Sequence, residues 1–467
     1  MAVSGVGDGP RSSLHGFWSS RLAFILAVTG SAVGLGNIWK FPYIAGENGG
    51  GAFVLIYLAS VFTIGLPIMM SETLLGRRGR RNPVTSMVLL GEEERAGPWW
   101  GIVGVSGVLA GFLILSFYSV IAGWVLAYVF KSAAGAFVEA DAGLVRSLIG
   151  ELAGSWRLSA AWHTLFMIAT VLVVARGVER GLEQAVTLMV PALIAILLIL
   201  LGFSAASGEF AEGVRFLFEP DFSKVNGATV LAAMGQAFFT LSIGMGCVMA
   251  YGAYLPQDAS IPATATAVVC ADTGVAILSG LVIFPIVFAN GLDPMAGPDL
   301  IFQALPLSFG NMPGGRLFGT LFFVLVGFAA LTSAISLMEP AVAWWVESRS
   351  TTRARASVTV GVIIWLLGFL SVLSFSEWSD LRFWQGTFMD NFDYLTSNIM
   401  LPLGGLLIAV FTGWVMRREV AAEELAAGTG ALYQAWRFLC RYVAPFAVVL
   451  VFMNAVGWLD GLLVGTD

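Results

Sequence analysis

The chain has 467 residues, of which 58% are hydrophobic and only 12% are charged, whereas a soluble globular chain carries about 25% charged residues. This composition, with a net charge of −6, excludes a soluble enzyme, a disordered protein, a fibrous protein and a nucleic-acid binder. Because the apolar runs do not alternate as the strands of a membrane barrel do, the sequence indicates an all-α protein that crosses the lipid bilayer many times.

Apolar runs of about 20 residues predict membrane-spanning helices. Reading these runs against the polar residues between them predicts about eleven spans, which are numbered here in chain order. Their approximate limits are 17–46, 51–76, 99–130, 160–175, 182–204, 228–254, 262–290, 316–346, 356–374, 386–415 and 434–459. We expect a single transmembrane domain, residues 1–467, whose parts are a first repeat at 17–204, a second repeat at 228–415 and an additional helix at 434–459.

The distribution of basic residues predicts the orientation of the chain. An odd number of spans places the two termini on opposite sides of the membrane. With the N-terminus inside, 16 of the 24 Lys and Arg residues fall inside and 8 fall outside. This split obeys the positive-inside rule. We therefore expect a protein integral to the cytoplasmic (inner) membrane, with its N-terminus inside and its C-terminus outside.

Glycines interrupt spans 1 and 6 near the middle of the membrane. These glycines are Gly30, Gly34 and Gly36 in span 1, and Gly244 and Gly246 in span 6. Each glycine weakens a helix by about 1 kcal/mol relative to alanine, which favours local unwinding. Close helix packing through small residues is the alternative interpretation. Broken helices at corresponding places in two halves of a chain indicate a transporter built from inverted repeats.

Polar side chains at membrane depth are the candidates for function. Thr240 and Ser242 adjoin the break in span 6, and Thr332 and Ser333 lie in span 8. Bonding of such hydroxyls to the preceding helical turn is the structural alternative. Ionisable residues inside a membrane mark function or ion pairs. The candidates are Glu72, Asp272, Glu339, Asp390 and Asp393. Asp272 stands out, because it lies well inside span 7 and no basic residue is near it in the sequence.

Three segments resemble the neurotransmitter:sodium symporter family, in its bacterial amino-acid branch. They cover residues 30–53, 236–246 and 330–333, and the resemblance extends over all the predicted spans. The family usually has twelve spans, so this chain departs from it by lacking the last one. The spacing of Gly181 and Pro191 in span 5 is similar to that of the family's multi-hydrophobic amino-acid transporters. The resemblance implies a 5+5 inverted-repeat fold and sodium-coupled import of neutral hydrophobic L-amino acids by alternating access, with no enzymatic step.

The resemblance also implies which residues bind sodium and substrate. The first sodium ion would be held by Ala32, Asn37, Thr240 and Asp272. The second sodium ion would be held by Gly30, Val33, Ala329, Thr332 and Ser333. Oxygen ligands of these kinds suit a hard cation. The residues that would contact the amino acid are Leu35, Gly36, Ile114, Tyr118, Phe239, Ser242, Met245, Ser333 and Leu337.

An outer gate is a further implication of the resemblance. Lys40 would pair with an acid of span 10, and its distance from the helix end favours Asp390 without excluding Asp393. Phe239 and Tyr118 would form an aromatic lid over the substrate. Lysine replaces the arginine of some family members, so a point charge replaces a bidentate fork.

An inner gate is implied on the opposite side of the substrate. Glu347, near Tyr254, would be its acid. Its base is open, because His15 stands where the family has an N-terminal arginine, and Arg11 is the other candidate.

Other functions compete with this interpretation. An intramembrane enzyme needs a nucleophile–base pair or a metal cluster at depth, which the two histidines, His15 and His163, do not supply. An ion channel needs a continuous polar pore. The same fold could carry another small amine or an osmolyte. Tyr57 and Gln236 match two chloride-site positions of the family, but Asp272 places a carboxylate beside the first sodium, so we expect no chloride requirement.

Overall fold

The computed structural model describes residues 13–14, 16–206, 209–291, 300–425, 430–455 and 457–458. These residues form helices joined by short connections, with isolated bridges as their only β-structure. Nine of the described helices are long and apolar enough to cross a membrane, and they are Gly51–Gly79, Pro98–Ala133, Trp156–Ala175, Val178–Ala205, Ile261–Ala289, Gly315–Arg349, Arg353–Ser374, Phe388–Val415 and Ala431–Asn454. They correspond to spans 2 to 5 and 7 to 11. The expected all-α class is confirmed.

Span 1 consists of two helices, Arg21–Ala32 and Gly36–Glu47, which meet at an angle of 53°. The first helix ends because Val33 adopts an extended backbone, with φ −69° and ψ 101°. The backbone around Gly34 and Leu35 is thereby freed from regular helical hydrogen bonding. The predicted break in span 1 is present in the described chain.

Span 6 is also broken, into Gly227–Thr240 and Cys247–Gly252. Between these helices, Ser242, Gly244 and Gly246 have positive φ values of 52°, 86° and 75°. Left-handed backbone is costly for residues other than glycine. A Cβ atom on Gly244 would also collide with the carbonyl oxygen of Leu401 in span 10. Glycine at this position therefore permits both the break and the close approach of span 10.

Spans 3 and 8 lie at the centre of the bundle. The most apolar window of span 8 is 72% buried, whereas those of spans 5 and 11 are each 33% buried. Span 8 packs along span 3, and the helix Arg21–Ala32 packs against spans 5, 7 and 8. The breaks in spans 1 and 6 thus lie beside the most buried part of the protein.

The predicted limits of the spans lie within a few residues of the observed helices. Two surface helices occur in connections where the sequence analysis assigned none, Pro83–Glu93 and Phe210–Phe218. Span 11 starts at Ala431, earlier than predicted, and its predicted end at 459 lies outside the described residues, as does the chain's C-terminus. The limits of the two repeats remain predictions.

Candidate functional site

One cavity, of about 40 Å³, lies between the breaks of spans 1 and 6. Its lining includes all nine residues assigned to the substrate from the sequence, and Ala32 and Gly34 complete it. The walls come from spans 1, 3, 6 and 8. The structure therefore brings together residues as far apart in the sequence as Ala32 and Leu337, around a cavity beside the unwound backbone of span 1.

A cluster of hydrogen-bonded polar groups adjoins this cavity. The Asn37 amide nitrogen Nδ2 donates to Thr240 Oγ1 at 2.8 Å and to Asp272 Oδ1 at 2.7 Å. Thr240 Oγ1 donates to Asp272 Oδ2 at 3.0 Å. The Gly34 amide donates to Asn37 Oδ1 at 3.1 Å, which joins the cluster to the break in span 1. Three of the four residues assigned to the first sodium are thus in direct contact, and Ala32 lines the neighbouring cavity.

A second group of oxygens lies between spans 1 and 8. Ser333 Oγ donates to the carbonyl of Ser31 at 3.1 Å and to that of Val33 at 3.4 Å. Thr332 Oγ1 donates to the carbonyl of Ala329 at 3.1 Å. A Cβ atom on Gly30 would lie 3.3 Å from the Thr332 Cβ, so this backbone approaches span 8 closely. The five residues assigned to the second sodium therefore lie together.

Tyr118 supplies a polar group to the apolar cavity. Its hydroxyl is buried and lies near the Ser333 hydroxyl and the Leu35 amide, but it makes no hydrogen bond of standard geometry with a described residue. A Cβ atom on Gly34 would lie 3.3 Å from this hydroxyl. A buried hydroxyl without a partner is costly unless a ligand or water bonds to it. Tyr118 is therefore placed to donate a hydrogen bond to a bound molecule at the break of span 1.

Glu72 has a role that the sequence analysis did not assign. It is fully buried in span 2, and its Oε1 accepts a hydrogen bond from the Gly244 amide at 2.5 Å. The break in span 6 leaves such amides without helical partners. Glu72 therefore stabilises the unwound segment. The signal available in the sequence was a carboxylate within the apolar span 2, together with a Gly-x-Gly break in span 6.

The outer side of the cavity is closed by Phe239. This side chain also lines a larger outer cavity of about 350 Å³, so it forms the wall between the two. The Lys40 ammonium lies 3.9 Å from the centre of the Phe239 ring, which is a cation–π contact. Tyr118 lines the inner cavity on the other side of this wall.

The two acids of span 10 make different contacts. Asp390 accepts hydrogen bonds at 2.8 Å from both the backbone and the hydroxyl of Thr387, so it caps the start of span 10. Asp393 lies about one turn further along the helix, and its Oδ1 accepts a hydrogen bond from Ser397 at 2.8 Å. Which of the two acids pairs with Lys40 stays a prediction.

The inner side brings several charged and polar groups together. Tyr254 donates to Glu339 Oε1 at 2.8 Å, and Arg353 forms an ion pair with the same carboxylate. Glu347 accepts hydrogen bonds from the backbone and side-chain nitrogens of Asn82, at 2.8 and 2.7 Å. Glu339 is thus an acid that the Tyr254 hydroxyl contacts, and the role of Glu347 as the acid of the inner gate stays a prediction.

The proposed bases of the inner gate, Arg11 and His15, lie outside the described residues. Trp18 is buried, and its indole nitrogen donates to the Tyr251 carbonyl at 3.1 Å. The segment at Trp18 therefore packs against the end of span 6 at Tyr251. Sequence analysis did not identify Arg353 as a partner of Glu339, because that pairing joins two separate helices.

Comparison with known proteins identifies the family. The model of the sodium:neurotransmitter symporter family matches residues 15–141 and 145–461. An uncharacterized sodium-dependent transporter, YhdH of Bacillus subtilis (strain 168), is 38% identical over 95% of this chain and 98% of its own. An uncharacterized sodium-dependent transporter of Haemophilus influenzae is 31% identical over 94% of this chain and 97% of its own. The crystal structure of MhsT in complex with L-phenylalanine superposes with a TM-score of 0.87 and 42% identity, over 94% of this chain and 99% of that one. The chain is therefore a transporter, not an enzyme, and it belongs to the sodium:neurotransmitter symporter family.

Proposed function

We propose that this protein imports neutral hydrophobic L-amino acids together with sodium, by alternating access. The observation that carries the proposal is the adjacency of two features. The cavity at the breaks of spans 1 and 6 directly adjoins the cluster of Asn37, Thr240 and Asp272. A substrate carboxylate bound at the break would therefore lie beside the cation that this cluster holds. Sodium and substrate would then stabilise each other's binding, which couples their transport.

The chemistry of the cavity supports the substrate class. Ile114, Phe239, Met245 and Leu337 supply apolar surface, and no charged side chain is among the described residues that line the cavity. The polar groups are the span 1 backbone near Gly36 and the Tyr118 hydroxyl. An amino acid with an apolar side chain matches this division into a polar end and apolar walls. The complex of MhsT with L-phenylalanine is consistent with the same class.

Two sodium sites are part of the proposal. The first uses the Asn37, Thr240 and Asp272 cluster, which supplies a fixed negative charge. The second uses carbonyl and hydroxyl oxygens at Gly30, Val33, Ala329, Thr332 and Ser333. Both sets consist of oxygen atoms, which hard cations prefer. The second site joins spans 1 and 8, so a cation there would stabilise one relative position of these helices.

Sodium-dependent counterflow in proteoliposomes tests the proposed function. We expect saturable exchange of labelled leucine that requires sodium and stops when potassium replaces it. A channel would conduct without saturable counterflow, and an enzyme would convert the substrate. Sodium-independent leucine exchange would refute the coupling, and exchange of a small amine or an osmolyte in preference to leucine would refute the substrate class.

The substrate range is a separate prediction. Met245 is flexible and polarizable, so it can adapt to side chains of different size. We expect leucine, phenylalanine, tyrosine and tryptophan to compete for uptake. Aspartate, glutamate and lysine should bind roughly a hundredfold more weakly, because the cavity offers no partner for a buried charge. Competition against labelled leucine measures these affinities. A best ligand that is acidic or basic would show that the cavity assignment is wrong.

The outer gate gives a paired prediction. Because Asp390 caps span 10, we propose Asp393 as the acid that pairs with Lys40, and we expect Asp393→Asn to slow sodium-driven uptake several-fold. Asp390→Asn is the matched control, since it alters a helix cap and should cost about 1 kcal/mol of stability while leaving uptake nearly unchanged. Initial uptake rates and thermal melting of both variants measure the two effects. If the Asp390→Asn variant folds but loses uptake, and the Asp393→Asn variant does not, Asp390 is the acid of the outer gate.

The orientation also remains a proposal. We propose that the N-terminus and the connection between spans 10 and 11 lie on the cytoplasmic side of the inner membrane, as the distribution of basic residues indicates. Reporter fusions after span 10 and after the C-terminus distinguish the two sides. Equal reporter activity at both places would contradict an odd number of spans.

A further inference from the structure

A cavity remote from the substrate site lies where spans 10 and 11 approach the membrane surface. It has a volume of about 440 Å³, and we name it the arginine pocket. Residues that line it include Arg418, Tyr433, Arg437, Phe438, Arg441 and Tyr442. Three of the lining residues are arginines, and none of the described lining residues is acidic. The pocket therefore concentrates positive charge without an internal counter-charge.

Neutral groups hold these arginines in place. Arg437 Nη1 donates to the Tyr433 hydroxyl at 2.6 Å, and this tyrosine is 1% exposed. The Tyr433 hydroxyl in turn donates to the Arg418 carbonyl at 3.2 Å. The Arg441 guanidinium lies 3.9 Å from the centre of the Trp414 ring. Ordered guanidinium groups of this kind suit a phosphate, which accepts several hydrogen bonds from them.

Carboxylates do not neutralise the arginine pocket. In the part of the chain that the structure describes, the ion pairs of this region involve Arg77, Arg78 and Arg417. Arg417, next to the pocket, bonds to Glu94 at 2.9 Å. By contrast, the three arginines of the pocket have no ion pair with a described carboxylate. Their charge is available for an anion from outside the protein.

The position of the pocket indicates which anion it meets. Arg418 lies between span 10, which ends at Val415, and span 11, which begins at Ala431, whereas Arg437 and Arg441 lie in the part of span 11 nearest this connection. Trp414, Phe438 and Tyr442 are each at least 50% exposed beside them. Aromatic side chains of this kind lie at the level of lipid head groups. Basic pockets between helices at this level bind anionic head groups.

We propose that the arginine pocket binds the phosphate of an anionic phospholipid. The phosphate contacts Arg437 and Arg441, and the acyl chains lie along the exposed surface of Phe438 and Tyr442. This site is separate from the amino-acid and sodium sites. It needs only that the chain is a membrane protein, so its failure and that of the proposed transport function are distinguishable.

The test measures lipid binding to the full-length protein in neutral detergent. Phosphatidylglycerol and phosphatidylcholine are titrated in mixed micelles, and both the dissociation constant and the Tm are read. Because each basic residue near an anionic surface contributes about a fivefold preference, Arg437→Ala with Arg441→Ala should weaken phosphatidylglycerol binding about thirtyfold. Phosphatidylcholine binding should not change.

Arg349→Ala with Arg355→Ala is the matched control. These two arginines are exposed, and they lie at the connection between spans 8 and 9, on the same side of the membrane. The control removes the same charge and should retain phosphatidylglycerol binding. If the first double variant does not fold, Arg441→Gln alone provides a milder change, and it should reduce binding about fivefold.

The remaining outcomes would overturn the proposal. Equal weakening by both double variants would indicate a general charge effect, and no weakening by either would exclude the pocket. Protection by inorganic phosphate equal to that by phosphatidylglycerol would assign the site to a soluble anion. A change in oligomeric state, seen by light scattering without a change in lipid binding, would assign the surface to a second copy of the chain.

Discussion

Replacing Asn37 by alanine is expected to abolish concentrative, sodium-driven amino-acid uptake. Its side-chain nitrogen bonds to both Thr240 and Asp272, and its side-chain oxygen accepts the Gly34 amide. The change therefore removes an oxygen ligand and detaches the cation cluster from the break in span 1. Hydrogen bonds to charged groups contribute about 1.5–3 kcal/mol, so we expect sodium affinity to fall roughly tenfold to hundredfold. Sodium titration of leucine uptake and of equilibrium binding measures this loss.

Asn48→Ala is the matched control for this prediction. Asn48 lies at the end of span 1, where its side chain donates to the Ile44 carbonyl at 2.9 Å, away from the cation cluster. This variant loses the same side-chain amide and should keep its sodium affinity. Full sodium-driven uptake by Asn37→Ala would remove Asn37 from the first sodium site.

The second sodium site can be tested through the hydroxyl of Thr332. Thr332→Ala should weaken sodium binding and stop uptake, whereas Thr332→Ser keeps the oxygen and should retain both. Comparing the two variants distinguishes loss of the hydroxyl from loss of side-chain volume, because serine keeps the hydroxyl and lacks the methyl group of threonine. Equal loss in both variants would indicate that Thr332 acts through packing alone.

The broken spans show what sequence alone can predict about this fold. Hydropathy is a local property, so the span limits follow closely from apolar runs and the polar residues that end them. Gly244 and Gly246 could be identified because unwinding has a local chemical signature. The helix Phe210–Phe218 was not assigned, because it is short and its apolar side packs on span 7. Its stability depends on that tertiary contact and not on a long apolar run.

The site shows the same division between local and tertiary information. The resemblance placed the cavity residues on the chain, and the structure brings them together. Charge pairing was harder to predict, since the partner of a buried charge lies on another helix. Spacing left both Asp390 and Asp393 open as partners of Lys40, and it did not show that Asp390 caps the start of span 10. For Glu72 the sequence offered a carboxylate in one apolar span and a Gly-x-Gly break in another, but not the contact of Glu72 with the Gly244 amide that joins them.

Asp272 carries the prediction about chloride. It is fully buried, and it accepts hydrogen bonds from Asn37 at 2.7 Å and from Thr240 at 3.0 Å. Opposite unit charges about 4 Å apart attract by about 4 kcal/mol at an effective dielectric constant of about 20. The carboxylate therefore compensates a sodium ion at this cluster, and it would repel a halide by a similar amount. We expect the protein to transport its substrate at the same rate when gluconate replaces chloride.

The variant Asp272→Asn sharpens this test, because it removes the charge while keeping the size of the side chain. Sodium affinity should fall, and chloride should partly restore it, since Tyr57 and Gln236 match two chloride-site positions of the family. Gln236 already donates to the Gly36 carbonyl at 3.0 Å, which keeps this side chain at the break of span 1. Asp390→Asn makes the same chemical change at a helix cap, and chloride should not alter the sodium affinity of this variant. Loss of wild-type uptake in gluconate would refute the argument that Asp272 takes the place of chloride, because the anion would then be needed despite the carboxylate.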